Sequence, residues 1–178
     1  MTVVVRPLGK AERQAVVALS VADEQDDFVA TNAESLEEAD ENPACVPLGI
    51  FVGDQPVAVD DLVSGGDLVG FAMYTLDADD GNWWIYRLMI DQRFQKRGYG
   101  RAGLRAVVER MSAIPGCDAI YLGVVQENRA AAAFYRQEGF QETGQILGDE
   151  TVMCLELKKP ERLGSVTPGG AWSGMQLR

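Results

Sequence analysis

Gln95-Lys96-Arg97-Gly98-Tyr99-Gly100 is the segment whose residue types and spacing point most directly to chemistry. It falls between a strand-like run and a helix-like run. There, successive main-chain N–H groups can turn toward one point, and the helix N-terminus adds partial positive charge. Gly98 and Gly100 remove the side chains that would hold a phosphate off the backbone, and Lys96, Arg97 and Arg101 add attraction at longer range. The outcome is an anion cradle suited to a pyrophosphate.

The same residues admit a second reading. Gly98, Gly100 and Gly103 stand at the G-x-G-x-x-G spacing of a dinucleotide-binding turn, which would bring NAD to the site. In that turn the strand runs almost directly into the first glycine, whereas here the seven largely polar residues 91–97 intervene. Glu127 is the acid nearest the position that would hold a ribose, but the upstream half reads as a meander rather than as repeated βα units. A P-loop is excluded, because no Gly-Lys-Ser or Gly-Lys-Thr follows.

Composition removes whole classes of mechanism. The chain has no histidine, so Ser-His-Asp and Cys-His catalysis and His-ligated zinc are out. Cys45, Cys117 and Cys154 are far apart and form no Cys-x-x-Cys pair, so they read as small buried hydrophobes, and no metal is expected. The net charge of −11 is unevenly spread. Residues 14–86 hold sixteen Asp and Glu and no Lys or Arg, while residues 87–110 hold seven basic residues against Asp91 and Glu109. One segment suits cations and the next suits anions. An acidic chain with a single short basic stretch argues against nucleic acid as a partner. No run of about 18 apolar residues and no leader-like N-terminus occurs, so neither a membrane partner nor a signal peptide is expected, and the cytoplasm is the expected location.

The 178 residues, 47% of them hydrophobic, fit one domain over residues 1–159. Residues 160–178, with four glycines and two prolines, read as a loosely ordered tail. Apolar periodicity predicts strands over 2–5, 48–52, 57–63, 68–76, 83–90, 119–125, 140–147 and 151–157. Helices are expected over 10–21, 33–39, from 98 or 100 to 113, and over 128–138, the last ended by Gly139. The runs from 48 to 76 predict an antiparallel meander, and the aromatic-rich 83–90 predicts a central strand.

Gln95-x-x-Gly98-x-Gly100 after that strand, followed by Asn128-x-x-Ala131-x-x-Phe134-Tyr135-x-x-x-Gly139-Phe140 after the next, resembles the GNAT N-acetyltransferase superfamily over residues 3–158. The stretch Trp84-Ile85-Tyr86-Arg87-Leu88-Met89-Ile90-Asp91 looks most like its bacterial diamine or spermine/spermidine branch. The resemblance implies an α/β fold with a mixed, mostly antiparallel twisted central sheet flanked by helices, acetyl-CoA as co-substrate, and homodimers. It assigns the pyrophosphate to Gln95, Lys96, Arg97, Gly98, Tyr99, Gly100 and Arg101. It gives the pantetheine arm to the main chain of Leu88, Met89 and Ile90 beside a bulge, a further cofactor contact to Asn128, and protonation of the departing thiolate to Tyr135. A phenolic donor makes chemical sense for a thiolate in a chain without histidine. Asn128 is also placed to cap its own helix.

The acceptor side departs from a common pattern of that family, which puts a glutamate base where this chain has Tyr86. The base is therefore open. A primary ammonium must lose its proton before attack, at roughly 4 kcal/mol at pH 7. Asp23, Glu24, Asp26 and Asp27 precede Phe28, and Glu34 and Glu38 share a helix face, so the acidic half offers carboxylates to a cation. Asp23, Glu24, Glu34, Glu38, Trp84 and Tyr86 are the candidate substrate contacts, with Trp83 or Trp84 as a cation–π wall. A polyamine fits this best. A protein N-terminus or lysine, an aminoglycoside, another small amine, or a non-catalytic acyl-CoA sensor are the alternatives.

Overall fold

The computed structural model describes residues 2–22, 25, 28, 30–53, 57–59, 62–64 and 66–157. Asp23, Glu24, Asp26, Asp27 and the tail expected over 160–178 lie outside the described residues. In chain order the elements are β1 (Thr2–Pro7), α1 (Lys10–Val17), α2 (Asn32–Glu41), β2 (Val46–Gly53), β3 (Val57–Val59), β4 (Leu62–Ser64), β5 (Asp67–Leu76) and β6 (Trp83–Ile90). A 3₁₀ turn (Gln92–Phe94), α3 (Tyr99–Ser112), β7 (Ala119–Val125), α4 (Arg129–Gln137), β8 (Gln141–Leu147) and β9 (Glu150–Glu156) follow.

Seven strands form one sheet in the order β1-β2-β5-β6-β7-β9-β8, antiparallel throughout except for the parallel pair β6–β7. The expected mixed, mostly antiparallel α/β fold is what forms. Two local expectations change. Phe51 and Val52 pair directly with Leu68 and Asp67, which leaves no place between β2 and β5, so the stretch expected as one strand over 57–63 folds out as the separate pair β3–β4. The first helix stops at Val17 rather than 21, because the carbonyls of Val16 and Leu19 turn to accept from the buried Asn32 side chain, at 2.9 and 3.2 Å. Thr31 and Glu34 then open α2 with a reciprocal capping box, extending it beyond the expected 33–39.

Strand alternation divides the core between the two sheet faces. Leu104, Val107 and Met111 of α3 pack with Leu48, Ile50, Ile85, Ile120 and Leu122 on one face. Val16, Leu19 and Leu36, from the α1 and α2 side, pack with Phe71, Met73 and Met89 on the other. None of the described helices is long and apolar enough to cross a membrane.

Two irregularities of β6 position the site. Met73 pairs with Arg87 and Tyr74 with Ile85, so Tyr86 is the extra residue of a bulge. The bulge puts two successive side chains on one face. Ile85, Leu88 and Ile90 pack toward α3, while Tyr86 and Met89 pack toward α1 and α2, and Arg87 reaches Ser35 and Glu38 of α2. Beyond Trp83↔Ile120 and Trp84↔Tyr121, β6 and β7 no longer pair.

Gly70 of β5 sits against the end of β6. A Cβ there would strike the Met89 carbonyl oxygen and come within 2.8 Å of Ile90 Cδ1. Gly70→Ala should destabilise the fold by about 1–3 kcal/mol, the usual cost of overpacking. A lower urea midpoint at unchanged slope would show it; an unchanged midpoint would mean that this close approach is not needed.

Candidate active site

Where β6 and β7 part, a cleft of about 780 Å³ opens between them, within the size range of small-molecule sites. Leu88, Met89 and Ile90 line it from β6, and Leu122, Gly123 and Val124 from β7. Main-chain groups that a partner strand would normally occupy are thereby available to a ligand along this edge.

The glycine loop closes one end. Asp91, buried, caps the 3₁₀ turn and also accepts from the backbone N–H of Ser20 at 3.2 Å. Desolvation pushes its carboxyl up, but the hydrogen bonds from Arg93 and from the Arg93 and Ser20 backbone outweigh that and hold it below the usual range. Gln95 donates its side-chain amide to the Ile90 carbonyl (3.0 Å) and to Gln25 (2.7 Å), which fixes the loop against the end of β6. Lys96 then takes φ +59°, a left-handed conformation that a non-glycine residue adopts at a cost, and Gly98 takes φ +84° as the N-cap of α3. The first turn of a helix has N–H groups without intrahelical acceptors. Gln95, Lys96 and Gly100 line the cleft. Arg97, Gly98, Tyr99 and Arg101 flank it at the start of α3, and Arg101 is ion-paired with Glu138 at 2.6 Å.

This geometry also explains two of the three glycines without a dinucleotide. Gly98 supplies the positive φ, and Gly103 packs so tightly that a Cβ would lie 3.0 Å from Ile50. With an antiparallel upstream sheet in place of repeated βα units, the NAD reading is set aside.

The start of α4 closes the other end. Asn128 caps the helix, its Oδ1 accepting from the Ala131 N–H at 3.0 Å, and it lines the cleft. Tyr135 lines the cleft two turns later, half-buried, with its ring centroid 5.7 Å from that of Phe140 in an edge-on contact. Burial pushes its phenol up to about 12, so the proton is held throughout the neutral range. A protonated hydroxyl there can donate to an anion that forms in the cleft.

The acceptor-side expectations are met unevenly. Tyr86 lines the cleft, but its hydroxyl donates to Asp77 at 2.5 Å; burial and that carboxylate push the phenol up. Glu38 accepts from Arg87 Nη2 at 3.1 Å. Glu34 is exposed and caps α2, and its hydrogen bonds with Thr31 hold its carboxyl down. Trp84 is buried below the cleft, its indole N–H donating to Asp80 and its ring 5.5 Å from Tyr121, so it does not offer a wall to a cation. Asp23 and Glu24 lie outside the described residues. The cleft is also lined by ionisable residues that are not among the sequence-derived candidates, Arg87, Asp149 and Glu150. Arg87 gets there through the bulge and Glu150 through cross-strand placement, neither of which leaves a local sequence signal.

The acetyltransferase (GNAT) family profile matches residues 18–140. The chain belongs to this GNAT family. A spermine/spermidine N(1)-acetyltransferase of Bacillus subtilis is 30% identical over 164 residues, covering 88% of this chain and all of the relative. Among solved structures, spermidine N-acetyltransferase from Vibrio cholerae in complex with CoA and spermine aligns with a TM-score of 0.62 at 16% identity, covering 86% of this chain and 93% of that one. AAC(6')-Ib in complex with ribostamycin and coenzyme A aligns at 0.69 and 16% identity, covering 94% and 100%. These structures share the fold. As a GNAT protein, the chain is an acetyl-CoA-dependent N-acetyltransferase.

The residues present fit that co-substrate: a split sheet edge for an extended amide-containing arm, and at one end a loop of positive-φ backbone followed by a helix N-terminus. Acetyl-CoA supplies the activated acetyl group. Asn128→Ala should remove the α4 cap at about 1 kcal/mol, lowering the melting temperature by roughly 2–4 °C for a chain of this size. Calorimetry with and without CoA checks it; an unchanged melting temperature would show that the side chain does not hold α4 in place.

Proposed function

We propose that the acceptor is a polyamine such as spermidine or spermine, acetylated at a primary amine by direct attack within a ternary complex. The observation that carries this reading is the match to the Bacillus subtilis spermine/spermidine enzyme along its whole length. The charge distribution supports it. The segment 14–86, free of Lys and Arg, supplies the second half of α1, all of α2 and Tyr86, so a polycation approaching that face meets mainly carboxylates.

In this reading the Lys96–Arg101 loop takes the pyrophosphate through main-chain N–H groups with Lys96 and Arg97 nearby. The backbone of Leu88, Met89 and Ile90 takes the pantetheine arm, and Asn128 borders it. Tyr135 stands on the α4 side of the split and donates its proton to the thiolate sulfur as the C–S bond breaks. Its high pKa keeps that donor loaded. The homodimer and the cytoplasmic location expected from the sequence remain part of this proposal.

Purified protein with acetyl-CoA should release CoA thiol with saturation in spermidine or spermine, and more slowly with a lysine-containing peptide. Saturation only by another amine would overturn the polyamine reading. Tyr135→Phe should lower kcat by about 10²- to 10⁴-fold, the usual span for a lost general acid, with CoA affinity unchanged. Unchanged turnover in that variant would remove Tyr135 from the chemistry.

A further inference from the structure

Glu150 opens β9 opposite Val125 at the end of β7. Its side chain runs back along β7 over Gly123, where an added Cβ would collide with its carboxylate. The missing side chain at 123 is what lets the carboxylate lie there. Ile120, Leu122 and Val124 pack in the core on the α3 side, so alternation puts Tyr121 and Gly123 on the opposite face. Met153 and Leu155 of β9 likewise pack on the α3 side, which puts Glu150, Val152 and Cys154 with Gly123. Across the split, that face carries Tyr86 and Arg87 of β6. Tyr135, by contrast, packs against the α3-side core. Both Glu150 and Tyr135 line the cleft, so the sheet places a carboxylate on the acceptor face and a phenol on the other face, with the gap between them.

We propose that Glu150 is the general base of the transfer, taking a proton from the acceptor ammonium on the α1/α2 face of the split. This inference rests on the acetyl-transfer reading above. One ammonium proton passes to the Glu150 carboxylate, directly or through one water. The freed nitrogen lone pair forms the C–N bond to the acetyl carbonyl carbon, and the C–S bond breaks with its electrons going to sulfur. The second nitrogen proton is lost as the amide forms, and the Tyr135 phenol protonates the thiolate and regains its proton from solvent. The sum is acetyl amide, CoA thiol and one proton released.

The other titratable groups of the cleft are poorly suited to this role. Tyr86 is a phenol already donating to Asp77, and Tyr135 keeps its proton. Arg87 and Lys96 are cations, and Asp149 is exposed at the β8–β9 turn. Glu138 is held by Arg101 and Arg105, whereas none of the ion pairs among the described residues engages Glu150. Burial pushes the Glu150 carboxyl up, Asp149 adds to this, and Arg87 across the split opposes it. The β7 residues beneath it, Gly123 to Val125, carry no charge. A raised carboxyl is a stronger proton acceptor than an ordinary glutamate, whose pKa is about 4.3, and it narrows the gap to an amine near 10.

The test is steady-state kinetics of wild type, Glu150→Gln, Glu150→Asp and Gly123→Ala with acetyl-CoA and each of a panel of amines between pH 5 and 9. In wild type, kcat/KM for the amine should fall as pH drops through a midpoint above the ordinary glutamate value. Glu150→Gln should lose about 100-fold at pH 7 with the acetyl-CoA KM within about twofold, should lose that midpoint, and should recover as pH rises and neutral amine becomes abundant. Glu150→Asp should restore part of the rate. Gly123→Ala, which keeps the carboxylate but displaces it, should fall at least about tenfold by the same mechanism. A Glu150→Gln rate within threefold of wild type, or a loss equal at every pH with a raised acetyl-CoA KM, would overturn the inference. Wild type active only on a non-polyamine would overturn the polyamine reading while the same comparison on that amine still decides Glu150. Wild type silent on every amine would overturn both.

Discussion

Two residue pairs, Trp83 with Ile120 and Trp84 with Tyr121, are the whole of the ladder between β6 and β7, and the site depends on its stopping there. A sheet normally satisfies its backbone groups strand to strand, and a split one must satisfy them in some other way. Here each strand is held from its far side, β6 by the long antiparallel pairing with β5 and β7 by seven pairs with β9. The two can diverge without melting, and the gap becomes a slot with backbone on both walls and access from both faces. A ligand with an extended amide-bearing arm fits such a slot, and an acyl group at its end is reachable from the opposite face.

The bulge at Tyr86 and the loop after β6 set what surrounds the slot. By turning two successive side chains to one face, the bulge carries Arg87 to Ser35 and Glu38 of α2 and ties the acidic helix to the central strand. Part of the acidic surplus is therefore structural, since Glu38 answers Arg87 and Glu34 caps a helix, and both are less available to a substrate than their spacing suggests. At the other end, the buried Asp91 and the Gln95 amide anchor the strained Lys96–Gly98 turn, and Gly100 in the first turn of α3 lines the cleft. Opposite charges are thus separated along one chain: basic residues at the loop after β6, carboxylates on α2.

What was legible in the sequence is what local geometry dictates. A positive-φ glycine before a helix, an Asn that caps one, and an aromatic pair six and seven residues further on are each determined within a turn or two of chain; Asn128 and Tyr135 line one cleft, and Gly98 stands between its lining residues Lys96 and Gly100. What was not legible depends on neighbours in space. Trp84 and Tyr86 both read as candidate contacts, but the first is buried against Tyr121 and Asp80, and the bulge at the second is set by pairing with β5. The 57–63 run is apolar enough for a sheet strand, yet β2 and β5 close on each other and exclude it. Glu150 has no motif at all, because its placement follows from a glycine on the adjacent strand.

The most direct measurement of the central claim is a crystal structure with CoA bound. The account predicts the pantetheine arm between β6 and β7, bonded to the main chain at Leu88–Ile90, with the pyrophosphate at the Gly98–Arg101 turn and the thiol between the Tyr135 and Glu150 sides of the gap. CoA bound elsewhere, or β6 and β7 paired along their length with CoA on the surface, would contradict it.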